Sequence, residues 1–111
     1  MSTSGWVGVD LDGTLAHYGK WAGGLIGAPI PAMVARVKSM LDRGIDVRIF
    51  TARVSDGDPA TVRAVELWCA EHIGRVLPVT NVKDFAMVAL YDDRAVAVQK
   101  NTGVVLGGEE P

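Results

Sequence analysis

Two aspartates, Asp10 and Asp12, close the apolar run in "GWVGVDLDGTLA". A second acidic pair, Asp92 and Asp93, closes another in "ALYDDRA". Between them stand Thr51, at the end of "VRIFTAR", and Lys83, in "TNVKDF". Taken singly, each has an ordinary use. Asp-Gly after a strand makes a turn, a threonine caps the next turn, and a lone lysine is a solvated surface group. Their conjunction points elsewhere. Two unit charges about 4 Å apart at an effective dielectric near 20 interact by roughly 4 kcal/mol. Carboxylates gathered at one place are therefore destabilising unless a cation joins them. Oxygen-only ligands favour a hard cation, and Mg²⁺ typically takes one or two carboxylates with water and a substrate phosphate.

For these residues to meet, the elements must deliver them to one edge. Trp6–Asp10 is apolar on both faces, as in a strand covered on both sides. Pro29–Arg43 reads as a helix, with Pro31 in its first turn, Met33, Val37, Met40 and Leu41 on one face, and Gly44 ending it. Ile45–Phe50 is a second strand. Asp58 before Pro59 is an N-cap signal for a helix running to about His72, with Val62, Val65, Cys69 and Ile73 as its buried stripe and Gly74 as its stop. Leu77–Val79 and Val88–Tyr91 read as a third and fourth strand. Ala95–Gln99 and Gly103–Leu106 read as closing strands around an Asn101–Gly103 turn. Helices alternating with strands predict an α/β fold: a three-layer, Rossmann-like, mainly parallel sheet with helices on both faces. In such sheets the carboxyl ends of the strands share one edge, where ligands bind.

The totals fit this frame. A chain of 111 residues makes one domain, residues 1–111, without a repeat or linker. A net charge of −2 leaves no electrostatic footprint for nucleic acid, although a nucleic-acid end could still be gripped locally. The single Cys69 cannot form an internal disulfide, which fits a reducing cytoplasm. Met1–Gly5 has no basic segment leading into an apolar one, so no signal peptide is expected. No apolar run is long enough for a membrane span.

The set "DLDGT", a strand ending in Thr51, then Lys83, then "YDDRA", resembles the haloacid dehalogenase superfamily of phosphohydrolases. The likeness runs from about Val7 to about Val98, and "YDDRAVAVQKNTG" also resembles small proteins of that superfamily in tailed-phage and bacterial genomes. It implies a Mg²⁺-dependent phosphatase that works through an aspartyl-phosphate. Asp10 would be the nucleophile. Asp12 would protonate the leaving oxygen and then activate water, with its backbone carbonyl on the metal. Leu11 between them points into the core. Gly13 would let the chain turn sharply beside the phosphate. Thr51 and nearby backbone N–H groups, at Leu11, Ala52 and Arg53, would hold phosphoryl oxygens, and Lys83 would neutralise charge on nucleophile and phosphate. Asp92 and Asp93 would complete the metal site with Asp10 and Asp12.

Superfamily members often carry a cap domain. Neither insertion point has room for one here, so a capless site is expected. Such a site takes a large phosphorylated substrate (a nucleic-acid end, a protein or a phospho-sugar) or borrows a cover from a second subunit in an oligomer. "AHYGKWAGGLIG" reads equally as a flap, with Tyr18 and Trp21 for stacking, or as a plain surface loop. Arg53 and Arg94 flank the site, as phosphate ligands or as salt-bridge partners. His17 reads as a solvated loop residue, and Cys69 and His72 read as structural. Two other classes share features. A receiver domain uses an Asp nucleophile, Thr and Lys, but its acidic pair comes at the first strand and its nucleophile later. A dehalogenase-like binding protein with little catalysis is the second alternative.

Overall fold

A computed structural model describes residues 4–19 and 25–107. Four strands form one all-parallel sheet: β1 (Trp6–Val9), β2 (Asp46–Phe50), β3 (Val79–Thr80) and β4 (Met87–Tyr91), in the order β3-β2-β1-β4. Helix α1 (Pro31–Asp42) links β1 to β2, and α2 (Pro59–His72) links β2 to β3. The α/β, Rossmann-like parallel sheet is thus observed. Pro31 opens α1 one residue after the extended Ile30, which sets its start two residues later than expected. Asp58 caps α2 as its sequence predicts, accepting from the Ala60 N–H at 2.9 Å.

Strand alternation sorts the sheet into two different faces. Val7, Val9, Val47 and Ile49 point to one, where Val34, Val37 and Met40 of α1 and Val65, Trp68 and Cys69 of α2 join them in a single core. Trp68 takes the place expected for Val62, which is half-buried, and its indole N–H donates to the Gly27 carbonyl at 2.9 Å. Both helices therefore lie on the same face rather than one on each. The topology explains this. Two successive right-handed crossovers that step in the same direction along a sheet put their helices on the same side.

The opposite face is built from Trp6, Arg48 and Phe50. Arg48 lies 4.8 Å over the Trp6 ring, and Phe50 is 6.4 Å from it. The chain from β3 to β4 holds no helix. Asp84 on it accepts from the Trp6 indole N–H at 2.9 Å, and Ala86 accepts from the Trp6 backbone N–H at 2.9 Å.

Two strand expectations change. The third strand begins at Val79, with the Pro78 carbonyl already accepting from the Ile49 N–H at 2.8 Å. The closing strands do not join the sheet. They make a small hairpin with a single bridge, Val98 to Val105, while Val96, Val98, Val104 and Leu106 stay exposed. Valine-rich composition favours extended backbone, but without a ladder partner it gives no more than this. Among the described residues no helix is long and apolar enough to cross a membrane.

Candidate active site

All four strands are parallel, so β1, β2 and β4 end at one edge. The Asp10 N–H extends the β1–β4 pairing by donating to the Tyr91 carbonyl at 2.9 Å. The next residue sets the turn. Leu11 is fully buried, and its carbonyl accepts from Thr14, Leu15 and Ala16 N–H groups at 3.3, 3.0 and 2.8 Å. Leu11 in the core thus leaves Asp10 and Asp12 facing the edge. Gly13 follows at φ +87°, and a Cβ there would stand 2.5 Å from Asp93 Oδ2. The glycine makes room for the second acidic pair rather than only for a sharp turn.

Asp10, Asp92 and Asp93 each offer an oxygen within 4.8 Å of the others. Thr14 ties the group together. Its hydroxyl lies 3.4 Å from Asp10 Oδ2 and 3.2 Å from Asp93 Oδ1, and it accepts from the Asp93 N–H at 3.0 Å. Asp92 Oδ1 accepts from the Arg94 N–H at 2.7 Å. Burial pushes the Asp10 carboxyl up to about 7, helped by its hydrogen bond with Asp93 and by the charges of Asp92 and Asp93. The donor set is all carboxylate, and among the described residues the charge on Asp10 is met by a backbone N–H from Leu11 and the Thr14 hydroxyl, with no cationic side chain. Such a set fits a hard divalent cation, which would offset that repulsion.

Asp12 faces the other way. Its two oxygens accept from Arg53, Oδ2 from Nε at 2.6 Å and Oδ1 from Nη2 at 2.9 Å. The pair is half-buried, and the Asp12 hydrogen bond raises the Arg53 pKa. Thr51 is 2% exposed, and its hydroxyl accepts from the Arg53 N–H at 3.2 Å, capping the short 3₁₀ turn Ala52–Asp56. A cleft of about 350 Å³ opens over these groups. Asp10, Asp12, Thr51, Ala52, Arg53, Asp92 and Arg94 line it, with the rings of Tyr18 and Phe50.

Of the sequence-predicted residues, Asp10, Asp12, Thr51, Ala52, Arg53 and Asp92 line the cleft, Gly13 and Asp93 stand beside Asp10, and Leu11 is buried behind them. The Asp12 carboxylate, expected with the other three, is joined to Arg53 instead. Lys83 is exposed, does not line the cleft, and makes no hydrogen bond or ion pair among the described residues. The chain leaves the site edge at Asn81, held by Ser55 at 2.9 Å, and has reached the Trp6 end of the sheet by Asp84. Among the described residues, the cationic side chains that line the cleft are Arg53 and Arg94. Of the flap candidates, Tyr18 borders the cleft and Trp21 lies outside the described residues. Thr14 was not singled out in the sequence, although its place in "DLDGT", four residues after Asp10, is the signal that could have found it. Cys69 is fully buried, with its thiol pushed up to about 11 by burial, and His72 packs against Trp68 with ring centroids 4.7 Å apart and planes tilted by 54°; neither lines the cleft.

No protein-family model matches the chain, and no curated protein matches it. A solved structure of a conserved protein coded by a locus of Bacteroides thetaiotaomicron is similar, with a TM-score of 0.65 and 19% identity. The match covers 85% of this chain and 79% of that one. At such identity the likeness shows the fold alone.

Proposed function

We propose that this chain is a Mg²⁺-dependent phosphomonoester hydrolase that works through an aspartyl-phosphate on Asp10. The observation that carries the reading is the convergence of Asp10, Asp92 and Asp93 within 4.8 Å, beside a cleft that also holds Asp12 and Thr51. Asp10, Asp92 and Asp93 would hold the cation. When bound it supplies charge neutralisation for the phosphoryl group and for the carboxylates around it.

The residues then divide the work. An Asp10 oxygen attacks phosphorus, the ester P–O bond breaks, and the leaving oxygen takes a proton from the Asp12 carboxyl. Water then attacks phosphorus and gives its proton to the Asp12 carboxylate. The bond to Asp10 breaks, and inorganic phosphate and the Asp10 carboxylate are restored. The Thr51 hydroxyl, whose proton has no acceptor among the described residues, supplies a donor to the phosphoryl oxygens. Ala52, Arg53 and Arg94 line the same cleft. Lys83 does not line the cleft and is given no step in this reading.

The test is a screen of phosphomonoesters (nucleotides, polynucleotide ends, sugar phosphates and phosphopeptides) with Mg²⁺. Phosphate release is expected with Mg²⁺, its loss in chelator, and inhibition by Ca²⁺, whose looser coordination misplaces the attacking carboxylate. Undiminished turnover in chelator would remove the mechanism.

A further inference from the structure

The contact that the proposed reaction does not use is the one Arg53 makes with Asp12. Both oxygens of Asp12 are held, at 2.6 and 2.9 Å, by two nitrogens of one guanidinium. Such a two-point pair fixes the plane of a carboxylate as well as its place. A carboxyl that serves a leaving oxygen, and later a water, must turn one of its own oxygens toward them. Here both are turned to Arg53.

Arg53 is also well placed to respond to substrate. Its backbone N–H is bonded to the Thr51 hydroxyl, and its side chain lines the same cleft as Asp10 and Arg94. Its Nη2 reaches the Leu25 carbonyl at 3.2 Å. A phosphoryl group offers a guanidinium the same two-oxygen geometry as a carboxylate and carries more charge.

We infer that Arg53 is the positioning residue for Asp12, and that the phosphoryl group of an arriving substrate competes with Asp12 for its guanidinium. In the free protein Arg53 holds Asp12 by both oxygens. As the guanidinium shifts to phosphate it releases one Asp12 oxygen toward the leaving group and keeps the other, so that without Arg53 the carboxyl is unoriented. The inference rests on the proposed hydrolase reading and deepens it.

Two measurements test it, one of them independent of turnover. The first is kinetics on an alkyl phosphate and on 4-nitrophenyl phosphate, for the wild type, Arg53→Lys, Arg53→Met, Asp12→Asn and the Arg53→Met/Asp12→Asn double variant. Acid assistance is typically worth about 10²–10⁴-fold and matters least for a good leaving group. Arg53→Met should therefore lower kcat by about 10²-fold on the alkyl ester and by less than about 5-fold on the nitrophenyl ester. On the alkyl ester the kcat losses of Arg53→Met and Asp12→Asn should not multiply in the double variant, because the two residues act there as a unit. Arg53→Lys keeps the charge without the fork, so it should recover KM more than kcat. Equal losses on both esters, multiplying in the double variant, would overturn the inference and leave Arg53 a phosphate ligand or a structural ion pair.

The second is the Arg53 Nε–H resonance in ¹⁵N-labelled protein with Mg²⁺. It should shift in Asp12→Asn, and it should move in the wild type on titration with inorganic phosphate. A resonance that stays still at saturating phosphate overturns the exchange. If no ester is hydrolysed while the resonance moves, the hydrolase reading fails and the exchange stands.

Discussion

Asp10 and Asp12 leave the same strand, yet they meet different surroundings. Asp10 sits with Asp92 and Asp93, and Asp12 sits with Arg53. The two should therefore fail differently when changed. Asp10→Asn removes the nucleophile, so turnover should vanish and no phosphoryl-enzyme should form. Asp12→Asn removes only acid and base, so turnover should fall by about 10²–10⁴-fold. With a nitrophenyl ester its first step still proceeds, and phosphate should accumulate on Asp10. Intact mass spectrometry after an acid quench reads the added phosphoryl mass. Wild-type rates in Asp10→Asn would make the acidic group a metal site for other chemistry. Gly13 gives a third test at this scale. At φ +87°, with Asp93 Oδ2 2.5 Å from where a Cβ would stand, Gly13→Ala both strains the backbone and pushes Asp93 aside. A stability loss of about 1–3 kcal/mol is expected in urea unfolding, together with weaker Mg²⁺ binding by calorimetry. The acidic residues were legible because each closes an apolar run. The partner of Asp12 was not, since Arg53 lies 41 residues away and only folding makes them neighbours.

Helix α2 shows what an element can announce locally. Asp58, Pro59 and Gly74 mark its two ends, and the structure places it at Pro59–His72, with Asp58 bonded to the Ala60 N–H and Gly74 at φ +98°. Each signal acts within one or two residues of the backbone it satisfies, so sequence alone carries it. Asp58→Ala should cost about 0.5–2 kcal/mol in urea unfolding, with α2 as the element that frays first in hydrogen exchange. A loss below about 0.3 kcal/mol would make the cap idle. Features that depend on distant partners were read less well. Val96, Val98, Val104 and Val105 have the composition of strands, but composition does not supply a ladder partner, and they form an exposed hairpin. The side of the sheet taken by α2 follows from where β3 lands, beyond β2 and away from β1. Lys83 falls outside the cleft lining for the same reason. Its distance from the acidic group depends on how the chain crosses from β3 to β4, and with no helix in that crossing the path runs to Asp84 beneath Trp6.

At the scale of the whole molecule the acidic group is a cost of folding, and the cost depends on pH. The Asp10 carboxyl stands near 7 in the folded protein against 3.8 as its ordinary value, because burial and then Asp93 and Asp92 disfavour its charge. Between those values the folded state holds a proton that the unfolded state has released. Stability therefore rises as pH falls from 8 toward 5, and the penalty is fully present only above about 7. Asp56 and Asp84 are shifted the opposite way, by hydrogen bonds from Thr61 and from Trp6. The stability they contribute is present above the ordinary carboxylate value and is lost only as pH falls below it, so they leave the window from 5 to 8 undisturbed. A divalent cation on Asp10, Asp92 and Asp93 does the work of that proton. At 100 times its dissociation constant, any ligand confined to the folded state adds about 2.7 kcal/mol. Metal-free protein should therefore melt at a higher temperature at pH 5.5 than at pH 8, whereas saturating Mg²⁺ should raise Tm most at pH 8 and flatten the dependence. Asp10→Asn should melt higher than wild type at pH 8 without metal and gain little from Mg²⁺. Calorimetric melts across pH 5 to 8, with chelator and with Mg²⁺, measure all of these. A Tm that Mg²⁺ leaves unmoved at pH 8 would mean that the three carboxylates repel one another in the folded protein without holding a cation.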